Sequence, residues 1–341
     1  DLKSLSMDQL EQWVLEHGEK KFRAKQLYQW MHVKLADSVE QMSNLPAKLR
    51  EQISENSTFT VLKQVTMQES AIDGTRKYLF ELEDHNMVES VLMRYKHGNS
   101  VCISSQVGCR MGCRFCASTL DGLVRNLTPA EMLEQIYRIS ADTGERVSNV
   151  VVMGTGEPLD NYDNLLTFIR MLTDENGLHI SQRNITVSTC GLVPRIRDLA
   201  KEDLQITLAL SLHASSQEKR LELMPVAKAY EIHEVVEALR DYFEETGRRV
   251  TFEYSLVAGV NDSEEDAKQL SELIRGINCH VNLIPVNPIK ERDFVQPDGK
   301  AVQEFKNKLE KCRINVTIRR EMGRDIDGAC GQLRRRYLKS G

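Results

Sequence analysis

Three cysteines stand close together in the segment GCRMGCRFCAST, where Cys109, Cys113 and Cys116 follow the spacing C-x3-C-x2-C. A structural zinc site takes four protein ligands in a closed tetrahedron, and a disulfide takes two cysteines. An iron–sulfur cube held by three thiolates instead leaves one iron without a protein ligand, able to bind a small molecule. The spacing therefore favours a cluster. A zinc site that borrows a distant fourth thiol is the alternative, although zinc spacings are usually two C-x2-C pairs.

The composition limits the classes of protein to which the chain can belong. Its 341 residues, 41% of them hydrophobic, are enough for a large core. The net charge of −5 argues against a general polyanion binder, so any contact with nucleic acid must come from local basic patches. No apolar run approaches the roughly 18 residues that a membrane span needs, and the acidic, amphipathic start DLKSLSMDQLEQW is unlike a signal segment. We therefore expect a cytoplasmic protein, in which clustered cysteines favour metal binding or catalysis over disulfides.

The elements that must position these cysteines follow from a change of pattern near residue 60. Residues 1–57 carry apolar positions at helical spacing and predict a small helical domain, and residues 58–95 predict short β segments, a β linker region. Strands and helices then alternate over 96–320, before a polar and basic tail at 321–341. About six β/α units predict a parallel sheet, either open and doubly wound or curled into a complete or partial barrel.

In either architecture, polar residues at the carboxyl ends of the strands are candidates for a binding site. The cysteines follow the first of these strands, and GTGEP, residues 154–158, follows the second. Ser188 ends the third strand, SLH at 211–213 ends the fourth, and Asn287 ends the sixth. Each has an ordinary structural explanation by itself, since glycine-rich turns and packed histidines are common. Their shared position predicts one site.

Five segments together resemble the RlmN/Cfr family of radical S-adenosylmethionine (SAM) RNA methyltransferases over nearly the full length: CISSQVGCRMGCRFCAST, GTGEP, SLHA, NLIPVNP and TIRREMGRDIDGACGQLR. The resemblance implies a partial (β/α)6 radical-SAM barrel with an N-terminal helical accessory domain. It implies a [4Fe–4S] cluster on the three cysteines, whose open iron chelates SAM so that an electron can split it to a 5′-deoxyadenosyl radical. By motif, the residues that contact SAM are Gly156, Glu157, Ser188, Ser211, Leu212, His213 and Asn287.

The resemblance also implies roles for two further cysteines, because C2 of adenine has no lone pair to receive a methyl cation. In the family's reaction, a first SAM methylates the cysteine that is here Cys330, and the radical from a second takes a hydrogen atom from that methyl group. The carbon radical adds to C2, Glu89 accepts the C2 proton, and Cys102 forms a disulfide with Cys330 that releases the base. Without the resemblance, Cys102 would be interpreted as a buried packing residue and Glu89 as an exposed strand residue. Cys190, Cys279 and Cys312 match no role and are predicted to pack.

The implied substrates are an adenosine in the peptidyl-transferase centre of 23S rRNA and the adenosine next to the anticodon in some tRNAs. An unstacked adenine must enter the barrel, which requires base flipping. The resemblance also implies an electron donor such as flavodoxin as a partner. We expect no association with a membrane, and we expect a monomer. Basic runs of this kind are more often solvated faces than binding surfaces. The candidate RNA contacts are Lys20, Lys21, Arg23, Lys25, Arg334, Arg335, Arg336 and Lys339.

Two other functions are open. A Cfr-type enzyme would use the same cysteines to methylate adenine C8, but GTGEPL and IPVNP look more like the C2 enzymes. A non-catalytic, zinc-stabilised RNA-binding protein is the alternative from a different class.

Overall fold

The computed structural model describes residues 1–287, 293–329 and 331–340, without the side chains of Lys339 and Ser340. The predicted methyl carrier Cys330 and the predicted RNA contact of the Lys339 side chain therefore lie outside the described residues.

Three helices occupy the N-terminal segment: α1 (Met7–Glu16), α2 (Phe22–His32) and α3 (Ala47–Asn56). Helix α1 begins at a capping box in which Ser6 and Gln9 satisfy each other's backbone N–H groups. The helical character predicted for this segment is confirmed. The segment packs on the rest of the molecule, because the buried Lys3 ammonium lies 2.6 Å from a Glu134 carboxylate oxygen and His32 Nδ1 lies 2.7 Å from the Tyr137 hydroxyl.

A single ten-stranded sheet organises the remainder of the described chain. Strands β1 (Lys63–Glu69), β2 (Arg76–Glu81), β3 (Met87–Tyr95) and β4 (Gly98–Ile103) pair antiparallel in succession. The sequence analysis treats residues 58–95 as a separate linker region. In the structure its three strands extend the barrel sheet, with β3 hydrogen-bonded to β4, β2 to β3 and β1 to β2. The physical reason is that β2 and β3 are largely buried, so they contribute to the core as sheet strands do.

Seven strands form the parallel part of the sheet. Strand β4 is followed by β7 (Val147–Val152), β8 (Ile185–Thr189), β9 (Thr207–Ser211), β10 (Val250–Leu256), β11 (Cys279–Pro285) and β12 (Asn315–Ile318), each paired in parallel with its neighbour. Their apolar residues are buried, as the sequence predicts for strands covered by helices. A separate antiparallel hairpin joins β5 (Gln106–Gly108) to β6 (Leu123–Asn126).

The helices of the β/α units cover this sheet: α4 (Pro129–Thr143), α5 (Tyr162–Thr173), α6 (Val193–Ala200), α7 (Gln217–Leu223), α8 (Ile232–Thr246), α9 (Glu264–Leu273) and α10 (Gly299–Lys311). A capping box of Thr128 and Glu131 starts α4, with Pro129 in its first turn. A last helix, α11 (Gln332–Ser340), follows. None of the helices in the described ranges is long and apolar enough to cross a membrane.

The parallel strands curl around one cavity. Residues at or after the carboxyl ends of six of the seven parallel strands line it, from the cysteine segment after β4 to Arg319 after β12, and β10 contributes Glu253 from the middle of the strand. Within the described residues β12 pairs only with β11, so the curled sheet does not close. This confirms the partial barrel.

Candidate cluster and cofactor site

The cysteine segment is folded by its own backbone contacts. The β5–β6 hairpin brackets it, and the Cys109 N–H donates to the Gly122 carbonyl at 2.9 Å. Gly108 has a φ of +75°, and a Cβ there would overlap the Gly122 carbonyl oxygen, so only glycine allows this approach. Between them, the Thr119 hydroxyl donates to the carbonyls of Cys113 at 3.1 Å and Cys116 at 2.9 Å. The sequence therefore holds the three cysteines in a compact loop.

This loop and the rim of the sheet meet in a cavity of about 200 Å³. The three cysteines line it together with five of the seven residues predicted to contact SAM: Gly156, Glu157, Ser188, Ser211 and His213. The Ser188 and Ser211 hydroxyls are 3.3 Å apart, because β8 and β9 are adjacent in the sheet. The structure thus brings together residues more than 100 positions apart in the sequence.

The donor set fits a polynuclear cluster. Cys109 and Cys113 are buried, and burial raises the pKa of Cys109 to about 12 and raises that of Cys113 as well. The Cys116 thiol acts electrostatically on both Cys109 and Cys113, and Cys109 acts on Cys113, so the three thiols are near one another. In the part of the chain that the structure describes, however, no three metal-ligating side chains converge on a single-ion site. In an iron–sulfur cube each thiolate binds a different iron, so three thiols that line one cavity fit such a cluster.

The turn after β7 places a carboxylate against this cavity. Gly156 has a φ of +116°, and a Cβ there would lie 2.7 Å from both the Gln106 Cβ and the Ser105 hydroxyl. Only glycine therefore allows the backbone to approach these residues so closely. The next residue, Glu157, is buried and accepts the N–H of Cys190 at 2.7 Å and that of Leu159 at 3.1 Å. Burial raises the pKa of Glu157, and these hydrogen bonds oppose the increase.

His213 faces the cavity as a neutral imidazole. Burial lowers its pKa to about 3, and its Nδ1 accepts the Ser255 N–H at 2.9 Å, which leaves the proton on Nε2. The Phe115 ring of the cysteine loop stands edge-on to it, with 4.7 Å between ring centroids. Its neighbour Leu212 has a fully buried side chain that belongs to the core. The predicted contact between Leu212 and SAM therefore stays a prediction, and its side chain is not part of the cavity wall.

Asn287 lies in an adjoining cavity of about 210 Å³, not with the other predicted SAM contacts. Cys102 and Ala329 line this second cavity too. Ile284 and Arg319 border both cavities, so the two are neighbours. The predicted resolving cysteine is thus buried next to the cluster site, on the side where the chain approaches residue 330.

Glu89 is buried in β3 and forms an ion pair with Lys77 at 2.9 Å. Its two carboxylate oxygens accept the N–H groups of Gly331 and Arg334, each at 2.6 Å, at the start of α11. The Lys77 ammonium also donates to the Ala329 carbonyl. Glu89 is therefore no exposed strand residue. In this arrangement the Lys77–Glu89 pair anchors the backbone on both sides of residue 330, and sequence reasoning missed Lys77.

The structure also revises the remaining cysteines. Cys279 is buried in the core, as predicted. Cys312 directly follows α10 and is exposed, so its predicted packing role is wrong; the chain is exposed throughout residues 310–313. Cys190 is buried, as predicted, and it also lines the cavity beside the cysteine loop. Glu253 and Arg319 line the same cavity, and sequence reasoning missed both. Glu253 lies mid-strand in β10, and one of its buried oxygens has no hydrogen-bond partner among the described residues.

Comparisons with known proteins agree with this geometry. Residues 103–270 match the model of the radical SAM superfamily, and residues 1–59 match that of the ribosomal RNA large subunit methyltransferase N-terminal domain. The chain is 66% identical over 339 residues to a probable dual-specificity RNA methyltransferase RlmN of Lachnospira eligens, covering 99% of this chain and 97% of that protein. It is 60% identical over 337 residues to the protein of the same name from Lachnoclostridium phytofermentans, covering 99% and 95%.

A solved structure extends the likeness to three dimensions. The crystal structure of a radical SAM methyltransferase from Sphaerobacter thermophilus superposes with a TM-score of 0.93 at 42% identity. The match covers 97% of this chain and 98% of that one, so it includes the N-terminal helices and the antiparallel strands as well as the barrel.

Proposed function

Because the chain belongs to the RlmN family of radical SAM RNA methyltransferases, we propose that it methylates C2 of adenosine in two RNAs. The substrates are an adenosine of the peptidyl-transferase centre in 23S rRNA and the adenosine next to the anticodon in certain tRNAs. The observation that supports this most directly is the pair of neighbouring cavities, one lined by the three cluster cysteines and the other by Cys102. The dual specificity in the names of the relatives supports both substrates.

The first cavity holds the cofactors in this proposal. Cys109, Cys113 and Cys116 ligate the [4Fe–4S] cluster, which when bound supplies the electron that splits SAM. Glu157 and the adjacent hydroxyls of Ser188 and Ser211 offer acceptors and donors to the polar groups of SAM. Neutral His213 adds a polar contact without placing a positive charge beside the sulfonium.

The second cavity holds the methyl transfer itself. Cys330 receives a methyl group from one SAM and, after loss of a hydrogen atom to the radical from a second SAM, its carbon adds to adenine C2. Glu89 is the proposed acceptor of the C2 proton; it must first exchange one of its present hydrogen bonds for the substrate. Cys102 would then attack the Cys330 sulfur, so that the S–S bond forms as the S–C bond breaks. The unpaired electron of the adduct would return to the cluster, and the released carbon would take a proton to become the methyl group. A thiol reductant restores both cysteines.

In this proposal two segments bind the RNA: the helical domain proposed for residues 1–57, and α11 in the proposed tail at residues 321–341. Lys20, Lys21 and Lys25 are exposed around the start of α2, and α11 carries three consecutive arginines from Arg334. A basic surface on an acidic chain is the electrostatic footprint that RNA binding requires. We also infer a flavodoxin-type electron donor, action as a monomer and a cytoplasmic location.

The test is anaerobic reconstitution with iron and sulfide, followed by reaction with SAM, a reductant and either RNA. Mass spectrometry of the digested RNA should show 2-methyladenosine in both. An 8-methyl product would assign the Cfr-type function instead, and one zinc per chain without iron would favour the zinc-stabilised RNA-binding protein.

A variant pair tests the role of Cys102. Cys102→Ala should accumulate protein covalently joined to RNA, because the step that frees Cys330 is missing. Cys312→Ser removes an exposed thiol and is the matched control, expected to methylate RNA normally. Absence of any RNA adduct in Cys102→Ala, with methylation retained, contradicts the resolving role.

Cys330→Ala should abolish methylation while SAM cleavage persists.

A further inference from the structure

Arg220, in helix α7, is a fully buried cation with almost no partners. Its side chain is 0% exposed, and Nη2 donates to the Cys190 carbonyl at 2.6 Å. Nε and Nη1 are buried without a hydrogen bond to any described residue. In the same described part of the chain, no carboxylate lies within ion-pair distance of the guanidinium. Four of its five N–H groups are left without a strong acceptor, counting one on Nη2.

Such an arrangement is unfavourable unless another charge balances it. An arginine stays protonated in proteins, so it cannot escape burial by losing its proton. Taking a cation out of water without a counter-charge strongly destabilises the folded state. The protein therefore either accepts this cost or holds an anion nearby when it is complete.

The surroundings of Arg220 indicate where that anion is. Cys113 and Cys190 belong to a small hydrophobic cluster, separate from the main core, that includes Leu223 and Met224 of the α7 segment. The Leu223 carbonyl accepts the Arg114 N–H of the cysteine loop at 2.9 Å, which fixes α7 against that loop. Arg220 donates to the carbonyl of Cys190, and Cys190 packs in the same cluster as Cys113. The guanidinium thus lies behind the cavity wall, within electrostatic reach of a predicted cluster ligand.

We propose that Arg220 is a positioning residue for the iron–sulfur cluster, whose negative charge it balances from behind Cys113. This inference rests on the proposed function, since it needs the cluster. Three thiolates outweigh the charge of the oxidised cube, so the site is net negative and becomes more negative on reduction. A buried cation therefore stabilises the reduced form more than the oxidised form. Net charge and hydrogen bonds to sulfur are among the features that set the potential of such clusters.

The other arginines of the cysteine loop cannot do this equally well. Arg110 is largely exposed and forms an ion pair with Asp160, and Arg114 is exposed. Water and salt screen exposed charges, over about 8–10 Å at ordinary ionic strength, whereas a buried charge is screened much less. Arg114 is therefore a matched control: the same residue type near the same cysteines, but solvated.

The experiment compares wild type, Arg220→Met, Arg220→Lys and Arg114→Met after anaerobic reconstitution. Iron and sulfide per chain, the midpoint potential from a redox titration followed by electron paramagnetic resonance, and the gain in Tm on cluster loading are measured. Arg220→Met should shift the potential to more negative values and reduce the Tm gain relative to wild type. Arg220→Lys keeps the charge and should restore most of the potential, and Arg114→Met should match wild type.

The outcomes separate this inference from the proposed function. A wild type that binds no iron refutes both. Wild type and Arg220→Met with equal iron content, equal potential and equal Tm gain refute the role of Arg220 and leave the cluster proposal standing. If Arg220→Met does not fold, Arg220→Gln and Arg220→Lys replace it. A midpoint potential that is more negative in Arg220→Gln but not in Arg220→Lys supports the inference. Equal potentials in both variants and wild type overturn it.

Discussion

Lys77→Met tests whether the buried Lys77–Glu89 pair anchors the C-terminal segment. The ammonium lies 2.9 Å from a Glu89 oxygen, and the two side chains are 0% and 4% exposed. Removing one partner of a buried pair leaves an uncompensated charge and costs about 3–5 kcal/mol. Glu89 keeps its two hydrogen bonds from Gly331 and Arg334, which partly offset the loss. We therefore expect a decrease in the free energy of unfolding near the lower end, about 3 kcal/mol.

The chain offers a control at the same distance. Lys63 and Glu81 also form an ion pair at 2.9 Å, but the Lys63 side chain is 77% exposed. Exposed pairs contribute about 0–1 kcal/mol, so Lys63→Met should change stability little. The comparison isolates burial, because the residue types and the N–O distance are the same in both pairs.

The assay is urea unfolding, combined with limited trypsin digestion. If the penalty is relieved by local release of α11, cleavage at Arg334–Arg336 should accelerate in Lys77→Met before global unfolding is seen. The double variant Lys77→Met/Glu89→Gln removes the uncompensated charge and should recover part of the lost stability. If the effects of Lys77→Met and Glu89→Gln on the free energy of unfolding simply add in the double variant, with a coupling energy below about 0.5 kcal/mol, the argument that the pair acts as a unit is refuted.

Three further predictions follow from other parts of the structure. Burial lowers the pKa of His32 to about 3, so between pH 6.5 and 3 only the unfolded chain takes up a proton at this residue. The free energy of unfolding should therefore fall as the pH falls, by up to about 1.4 kcal/mol per pH unit. His32→Phe should reduce that slope in urea titrations at several pH values. In Gly156→Ala the new Cβ would lie 2.7 Å from its neighbours, so calorimetry should show loss of SAM binding. In the control Gly144→Ala the new Cβ has nothing within 4 Å, so SAM binding should persist at a stability cost of about 1 kcal/mol. Equal SAM affinities in the two variants would contradict the close-approach argument. Glu253→Gln should weaken SAM binding roughly tenfold, equivalent to about 1.4 kcal/mol, without lowering the Tm of the SAM-free protein; unchanged affinity would show that its unpartnered oxygen does not serve the ligand.

Local sequence patterns predicted much of this molecule because their causes are local. Thr128 and Glu131 are three residues apart, so the capping box that starts α4 is visible in the sequence. The cysteine spacing places three thiols in one loop, and apolar β segments mark the parallel strands. Since parallel strands end at the same edge of a sheet, the meeting of Ser188, Ser211 and His213 with the cysteines follows once the sheet is recognised.

Contacts between distant segments escaped sequence reasoning. The predicted linker region 58–95 proved to be part of the sheet, because strand pairing depends on which edges meet and no local signal records that. Cys312 was predicted to pack, yet its exposure depends on how α10 is oriented against its neighbours.

The sequence by itself determined the chemistry that this protein has available: three thiols at cluster spacing, a glycine turn that presents a carboxylate, and polar residues at successive strand ends. Only the tertiary structure decided which charges are taken out of water. Glu89 meets Gly331 across 242 positions, and Arg220 becomes fully buried beside Cys190. The physical reason is that the strength of a charge depends on the solvent that folding excludes, and the exclusion of solvent is a property of the whole packed chain.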